Sequence, residues 1–323
     1  MTTYKEIFGK YVRSVSSDPP AAAGEGEIWY NTTSNVFKSS VPVGAWASGG
    51  AMGTARTGMG SAGVSENDIL GFGGDTGPSR VANTEEYNGS AWTGGGSLAN
   101  ARSVPGSATQ GTTSAALGFA GYNGGGLNTT EEYNGSSWTA GGNYGVSKYT
   151  AYGFGTQTAA VGVGGRPLVS NIFEYDGSSW TAATAYPVSI AAISGKGPQT
   201  AGIVAGGQAP SNTTAANEYD GSSWTSTGSL NTARSSMGIA GVQTNALFFG
   251  GSDPSTNVTS SETYNGSTFS TSASLATARA TGASGGTASA AVYGGGSSNS
   301  SPSATGVTEE FTETVTVSTL TTS

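Results

Sequence analysis

The sequence predicts an all-β fold of six repeated units, each a small antiparallel sheet, behind a short non-repeating segment. Three observations predict it. Aromatic anchors recur at Trp46, Trp92, Trp138, Trp180, Trp224 and Phe269, spaced by 46, 46, 42, 44 and 45 residues, a period that belongs to repeat folds. A double glycine recurs as Gly73-Gly74, Gly164-Gly165, Gly206-Gly207, Gly250-Gly251 and Gly294-Gly295, with the looser Gly121 in the second unit. Asn-Gly or Asp-Gly recurs at Asn88-Gly89, Asn134-Gly135, Asp176-Gly177, Asp220-Gly221 and Asn265-Gly266, where a tight hairpin needs positive φ. With 54 glycines and 10% charged residues the chain would otherwise read as low complexity. The fixed phase of its aromatics argues against that. Helices are excluded because the units are rich in Gly, Ser and Thr and carry no sustained 3.6-residue apolar pattern.

Residues 1–45 stand outside the repeat. "SSDPPAAAGEGE" (16–27) reads as a Pro/Gly linker, and "EIWYNTTSNVFKSS" (27–40) as a hairpin around Thr33-Ser34-Asn35. Tyr4, Ile7, Phe8, Tyr11 and Val12 form an amphipathic patch too small to be a core, expected to dock on another subunit. The first residues lack the continuous apolar stretch of a signal peptide. No apolar run approaches the ~20 residues that span a bilayer, so neither ordinary secretory export nor membrane insertion is expected.

One unit shows how the others are built. "SSMGIAGV" (235–242) is a small-residue strand and "NALFFGG" (245–251) an apolar strand ending in the double glycine. After a polar loop, "SETYNGSTFSTS" (261–272) is a hairpin. Four short strands per unit make the blade of a β-propeller, and residues 46–323 are expected to hold six. The last unit, "EEFTETVTV" (309–317), has Phe311 but no Trp. Ring closure then needs a strand from one terminus, since a bare edge invites aggregation. The C-terminal "VTVSTLT" (315–321) is favoured for that role over the segment ending at Trp46.

Ten residues after each anchor stand Arg56, Arg102, Lys148, Ile190, Arg234 and Arg279. The order apolar strand, Gly-Gly, variable loop, Tyr, Trp and Arg resembles the Kelch repeat from about Trp46 to the C-terminus. The resemblance implies a six-bladed Kelch-like β-propeller whose Gly-Gly, Tyr and Trp positions are structural. Ile190 departs from the pattern. "YKEI" and "GEIWYNTTSNVFK" together are similar to N-terminal segments of bacteriophage tail-fibre-like virion proteins, especially of phages of marine bacteria. This implies a virion location, with other virion proteins as partners of the N-terminal segment.

The net charge of −8 leaves no basic stripe for nucleic acid. Cysteine and histidine are both absent, which removes disulfides, thiol nucleophiles, imidazole bases and His/Cys metal sites. A Kelch-type copper oxidase therefore has no ligands here. "EYDGSSWT" (174–181 and 218–225) differs from the sialidase Asp-box in having Asp and Gly adjacent, and the periodic arginines are expected between blades rather than clustered at the ring centre. The acid pairs Glu85-Glu86, Glu131-Glu132 and Glu309-Glu310 could be imagined as glycosidase carboxylates. Neighbours on a strand point to opposite faces, so one of each pair is expected near a repeated cation and the other in solvent. The Asn-x-Ser/Thr tripeptides are explained by turns. The Gly-rich stretches lack the Lys-Ser/Thr ending of phosphate loops. No enzyme activity and no cofactor are expected.

What varies between units is the loop after each double glycine: residues 75–83, 122–128, 166–171, 208–217, 252–260 and 297–306. In a four-stranded blade these loops and the inter-blade links emerge on the same end, giving one polar face suited to a host-surface glycan or a protein partner. Arg80, Tyr122, Arg166, Gln208 and Asp253 are its candidate contact residues. The expected function is a non-enzymatic phage virion structural protein, a tail fibre or tail-associated adhesin. A capsid decoration protein and a cellular Kelch-like adaptor are the alternatives.

Overall fold

The computed structural model describes residues 6–7, 10–19, 27–299 and 303–320, and the described residues contain no helix. The chain divides into two compact units, Met1–Ala45 with Thr312–Ser323, and Trp46–Phe311. The last residues, expected within the propeller, thus group with the N-terminal segment.

Trp46–Phe311 is a six-bladed β-propeller. Blade 1 runs Gly60–Ser65, Asp68–Phe72, Thr84–Tyr87 and Trp92–Gly95. Blade 2 runs Gly106–Ser107, Ala116–Phe119, Thr130–Tyr133 and Trp138–Ala140. Blade 3 has Tyr152–Thr156, Ala159–Val163, Ile172–Tyr175 and Trp180–Ala183, and blade 4 has Ser194–Lys196, Gly202–Ala205, Ala216–Tyr219 and Trp224–Ser226. Blade 5 is Gly238–Val242, Asn245–Phe249, Ser261–Tyr264 and Phe269–Ser272. In blade 6, Ala283–Gly286 and Ala290–Gly294 are followed by the start of Thr308–Thr319, and the end of Val36–Ser48 is the fourth strand.

Closure therefore comes from the N-terminal side, not from the C-terminal tail. The reason is in the motif. "TEEF" at 308–311 matches the third-strand "TEEY" of blades 1 and 2, which leaves the outer place empty. Trp46 fills it. Its ring lies 4.9 Å from Phe249 and 5.3 Å from Phe311 between centroids, and its Nε1 donates to the Ala273 carbonyl at 2.9 Å. The sixth anchor was present at the start of the repeat.

The innermost constraint is a closed loop of backbone hydrogen bonds. Two residues after each periodic cation position the chain turns left-handed, at Gly58 (φ 63°), Val104 (46°), Thr150 (52°), Ala192 (55°), Ser236 (56°) and Thr281 (59°). The N–H of Val104 donates to Gly58 at 2.7 Å, Thr150 to Val104 at 3.2 Å, Ala192 to Thr150 at 3.4 Å, Ser236 to Ala192 at 2.8 Å and Thr281 to Ser236 at 3.1 Å. The Met59 N–H closes the circle on the Thr281 carbonyl at 3.3 Å. Left-handed backbone costs a non-glycine residue about 1–3 kcal/mol. The circle offsets that cost by satisfying amides that would otherwise be buried and unpaired.

Each anchor Trp is an inter-blade contact. Trp138 packs on Phe72 of blade 1 at 4.8 Å and Trp180 on Phe119 of blade 2 at 4.7 Å. Their indole N–H groups donate to Thr84 and Thr130 of the same neighbours, both at 2.9 Å, and Trp92 donates to Thr308 of blade 6 at 2.9 Å. Tyrosine hydroxyls tie the same interfaces. Tyr133 donates to Glu86 at 2.7 Å, Tyr219 to Glu174 and Tyr264 to Glu218 at 2.8 Å, Tyr175 to Glu132 at 2.5 Å, and Tyr87 to Glu310. Burial, then the neighbouring carboxylate, pushes Tyr87, Tyr133 and Tyr175 up to about 12. The second acid of each pair, expected in solvent, is half-buried and bonded across a blade boundary. At the boundary of blades 5 and 6 both partners change together, to Thr263 and Phe311.

The periodic arginines lie inside blades, not between them. Arg56 Nη1 donates to the carbonyls of Gly73 and Asn83 at 2.7 Å, and its Nη2 to Glu85 at 2.9 Å. The other oxygen of Glu85 accepts the Gly53 N–H at 2.7 Å. The pairs Arg102–Glu131, Arg234–Glu262 and Arg279–Glu309 repeat this arrangement, each arginine fully buried. Burial pulls all four guanidinium groups down from their ordinary value, and their Nε atoms are left without partners. Each clamp fixes the link entering a blade to the base of that blade's double-glycine loop. In blade 3, where Lys148 replaces arginine, Phe173 stands in the acid's place and Lys148 Nζ donates to the Pro167 carbonyl at 3.0 Å. In blade 4, Ile190 faces the change with Asn217, which bonds the Tyr186 hydroxyl at 2.7 Å.

The Asn-Gly and Asp-Gly sites are four-residue loops rather than two-residue turns. Tyr87 pairs with Trp92 across residues 88–91. Only Gly89 is left-handed (φ 88°), while Asn88 Oδ1 accepts the N–H groups of Ser90 and Ala91 at 3.0 Å. In blade 6 the left-handed double glycine is Gly295-Gly296, one residue beyond the sequence assignment.

In the other unit, Ile28–Asn31 pairs antiparallel with Val36–Ser48, from Ile28↔Ser39 to Asn31↔Val36, and Arg13–Val15 lies parallel to it. This is the hairpin expected around residues 33–35. Asp18 organises it, accepting from Trp29 Nε1 at 3.1 Å, Asn31 at 2.5 Å and Lys38 Nζ at 2.6 Å. Lys38 first, then Asn31, holds the Asp18 carboxyl down at about 2. Ile7 and Tyr11 sit in the short paired strands Glu6–Ile7 and Lys10–Tyr11. Tyr4 and Phe8 lie outside the described residues.

Two predictions follow from these contacts. Glu131→Gln leaves a buried guanidinium unpaired and lowers stability by about 3–5 kcal/mol in urea unfolding. The double change Arg102→Ile with Glu131→Asn, the pairing blade 4 uses, costs less than the single one. For Asp18 the folded pKa lies below the unfolded value of about 3.9, so its stabilisation is full above that pH and is lost as pH falls towards about 2. Amide exchange across residues 28–39 should rise over this window in the parent chain and change less in Asp18→Asn.

Candidate functional site

Each double-glycine loop begins by pairing with the link that enters its own blade: Thr57↔Asp75, Ser103↔Tyr122, Tyr149↔Arg166, Ala191↔Gln208, Ser235↔Ser252 and Ala280↔Ser297. All six loops therefore stand on the end of the ring that carries the circle of left-handed residues. The expectation of a single polar loop face holds.

Neighbouring loops also bind one another. The Arg80 guanidinium lies 4.4 Å from the centroid of the Tyr122 ring, which packs against Tyr149 at 5.2 Å. Arg166 Nη2 donates to Gln208 Oε1. Asn212 Nδ2 donates to the Ser252 carbonyl at 2.7 Å, and Asn257 Nδ2 to that of Ser297 at 2.7 Å. Of the five candidates read from sequence, four are thus joined in two pairs. The fifth, Asp253, caps its own turn, accepting the N–H groups of Ser255 and Thr256 at 2.7 Å. None of the five lines the pocket among the loops or the cavity of the central channel formed by the described residues. They are half-buried ties that hold the loop bases, since strong donors and acceptors at a crowded rim satisfy one another before they meet a ligand.

The concave site is formed by residues that sequence reasoning did not single out. A pocket of about 390 Å³ opens among the loops, lined by Thr57, Asp75, Ser103, Ser252, Asn257 and Ser297, with Gly58, Val104 and Thr281 of the hydrogen-bonded circle also in its wall. Asp75, Ser252 and Ser297 belong to loops marked as variable and Ser103 to a link between blades, but small hydroxyl side chains give no signal in a Ser/Thr-rich chain. Only the ring brings blades 1, 2, 5 and 6 together around them.

The channel beneath is narrow. Its cavity holds about 30 Å³, room for no more than one or two water molecules. At the opposite end Lys196 of blade 4 crosses to blades 1 and 2, where its Nζ donates to the carbonyls of Gly63, at 2.6 Å, and Thr109. Burial pushes this fully buried amine down to about 7. Among the described residues no three or more His, Cys, Asp or Glu side chains are grouped to hold a metal ion.

The Arg80–Tyr122 stack is a measurable tie. In a double-mutant cycle with Arg80→Ala and Tyr122→Ala, unfolding should report a coupling of about 0.5–1 kcal/mol.

No family model matches the chain, and no curated protein matches it significantly. Among solved structures it is similar to the one titled "Structure of YjhT", with a TM-score of 0.67 over 83% of this chain and 99% of that one, at 13% identity. At that identity the likeness establishes the β-propeller fold alone.

Proposed function

We propose that the protein is a non-enzymatic structural component of a phage particle, a tail fibre or tail-associated adhesin whose propeller presents its loop face to the host surface. The observation that carries this reading is the loop face itself. Six loops of unrelated sequence stand on a repeated base of left-handed links in every blade, arginine clamps in four of them and aromatic contacts between them, which separates a rigid scaffold from a variable surface. The Kelch-like order of each blade and the phage-like N-terminal segment supply the rest of the support. The chain has no histidine or cysteine, its repeated carboxylates are committed to arginine and tyrosine, and among the described residues Asp75 is the single ionisable side chain in the pocket wall. The N-terminal unit would then be the attachment point to other virion proteins.

Mass spectrometry of purified particles should find the chain among the virion proteins; its absence there refutes the reading. The exposed loop tips offer the functional test. Whole-loop deletion would remove carbonyls that the arginines bind, such as that of Asn83. Replacing residues 76–79 and 254–256 with Gly-Ser instead should leave the unfolding midpoint in place and slow adsorption of particles to host cells. Unchanged adsorption leaves only a structural role.

A further inference from the structure

We propose that the loop-face pocket binds a neutral saccharide, a mono- or disaccharide portion of a larger glycan. The inference names the ligand class for the surface-binding role above and rests on that reading.

The wall of the pocket decides the class. It is lined by the hydroxyl residues Thr57, Ser103, Ser252, Thr281, Ser297 and Ser303 with Asp75 and Asn257, and Asn257 is fixed there by accepting from the Ser252 hydroxyl at 2.5 Å and donating to the Ser297 carbonyl at 2.7 Å. Its apolar side chains are small, Val104 and Ala280. No aromatic or long aliphatic side chain offers a slot for a peptide anchor, the usual centre of a protein interface. A dense array of hydroxyls and a carboxylate instead matches a ligand whose groups both donate and accept. Its volume of about 390 Å³ lies within the roughly 300–1,000 Å³ range of small-ligand sites.

Charge in the wall disfavours the acidic sugars. Asp75 is the one ionisable group in the wall, and the chain carries a net charge of −8. The loop-face cations Arg80, Arg166 and Lys148 have uncharged partners, Tyr122, Gln208 and the Pro167 carbonyl, and none of them is part of the pocket wall. A uronate or a sulfated sugar would enter against Asp75 with no cation in the wall to pair with it. Asp75 Oδ1 accepts the Gly77 N–H at 2.8 Å, which holds the carboxylate in place, and its Oδ2 takes no hydrogen bond within the described residues. That oxygen is a ready acceptor for a pair of sugar hydroxyls. Much of the floor is preorganised as well. Gly58, Val104 and Thr281 belong to the closed circle of backbone hydrogen bonds, and Thr57 and Thr281 hydroxyls bond each other at 2.6 Å, so little ordering is left for the ligand to bring about.

Calorimetric titration of the full chain with di- and trisaccharides from neutral glucans, galactans and mannans, and with a uronic-acid disaccharide as the anionic probe, tests this. At least one neutral sugar should bind saturably and the uronate at least about tenfold more weakly, about 1.4 kcal/mol. Ser303→Trp, which fills the pocket from an exposed position, should abolish neutral-sugar binding with the unfolding midpoint unchanged. Asp75→Lys should weaken neutral binding and bring in the uronate, a gain that a misfolded protein cannot produce. Absence of saturable binding by every neutral sugar, equal binding in Ser303→Trp, or preference of the parent chain for the uronate each overturns the proposal. The two readings fail separately. If the loop-tip variants slow adsorption but no sugar binds, the ligand is of another class, a protein, and the adhesin reading stands. If sugar binds but the chain is absent from particles, the site stands and the virion reading falls.

Discussion

The rest of the propeller depends on one circle of backbone hydrogen bonds. Gly58, Val104, Thr150, Ala192, Ser236 and Thr281 adopt left-handed backbone so that each link can donate to the blade before it and accept from the blade after it. Such a circuit cannot be satisfied piecemeal. If one blade were missing, an amide and a carbonyl at the centre of the ring would be left without partners, a loss of about 1–3 kcal/mol for each buried group. The circle thereby couples blade number to closure, and it holds the inner strands close enough for Lys196 to reach across the channel.

Outside the circle, the same residue types are used for two separate jobs. The first acid of each pair clamps a link to its own blade through arginine. The second receives a tyrosine hydroxyl from the next blade. Where either interaction is absent, both partners have changed: Lys148 with Phe173, Ile190 with Asn217, Thr263 with Phe311. The physical reason is the asymmetry of buried charge. A lone arginine or carboxylate left in these positions would bear the full cost of desolvation; the uncharged pair of blade 4 avoids it, while in blade 3 the buried Lys148 keeps a cation without a carboxylate and donates to the Pro167 carbonyl instead. The departures in blades 3 and 4 are consistent substitutions, not decay of the repeat.

This arrangement also shapes the loop face. The largest polar side chains of the loops, the ones a reader of the sequence would choose as contacts, are spent on joining neighbouring loops at their bases. What remains open is a hydroxyl-lined depression whose floor is the circle itself. A site of small side chains on a rigid floor would recognise by the placement of many weak partners, and the proposed selectivity against anions rests on a single carboxylate.

The sequence by itself determined the class of fold, the blade count, the positions of the hairpins and the location of the variable loops. Those features are local or periodic: Gly at a left-handed turn, alternation along a strand, and an aromatic at fixed phase leave their marks on adjacent residues. The nearness of one acid per pair to a repeated cation was also legible, because the two recur together. Other features were decided by the tertiary structure alone. Trp46 could be assigned to blade 6 rather than blade 1 only once the ring had closed, because its partners Phe249, Ala273 and Phe311 are more than 200 residues away along the chain. The inter-blade bond of Glu86 depends on Tyr133, 47 residues on, and an acid on a strand face reads as solvated until a neighbouring blade covers it. The pocket was the least legible of all. Serine and threonine have no distinctive pattern in a chain so rich in both, and only closure of the ring gathers hydroxyls from four blades around one carboxylate.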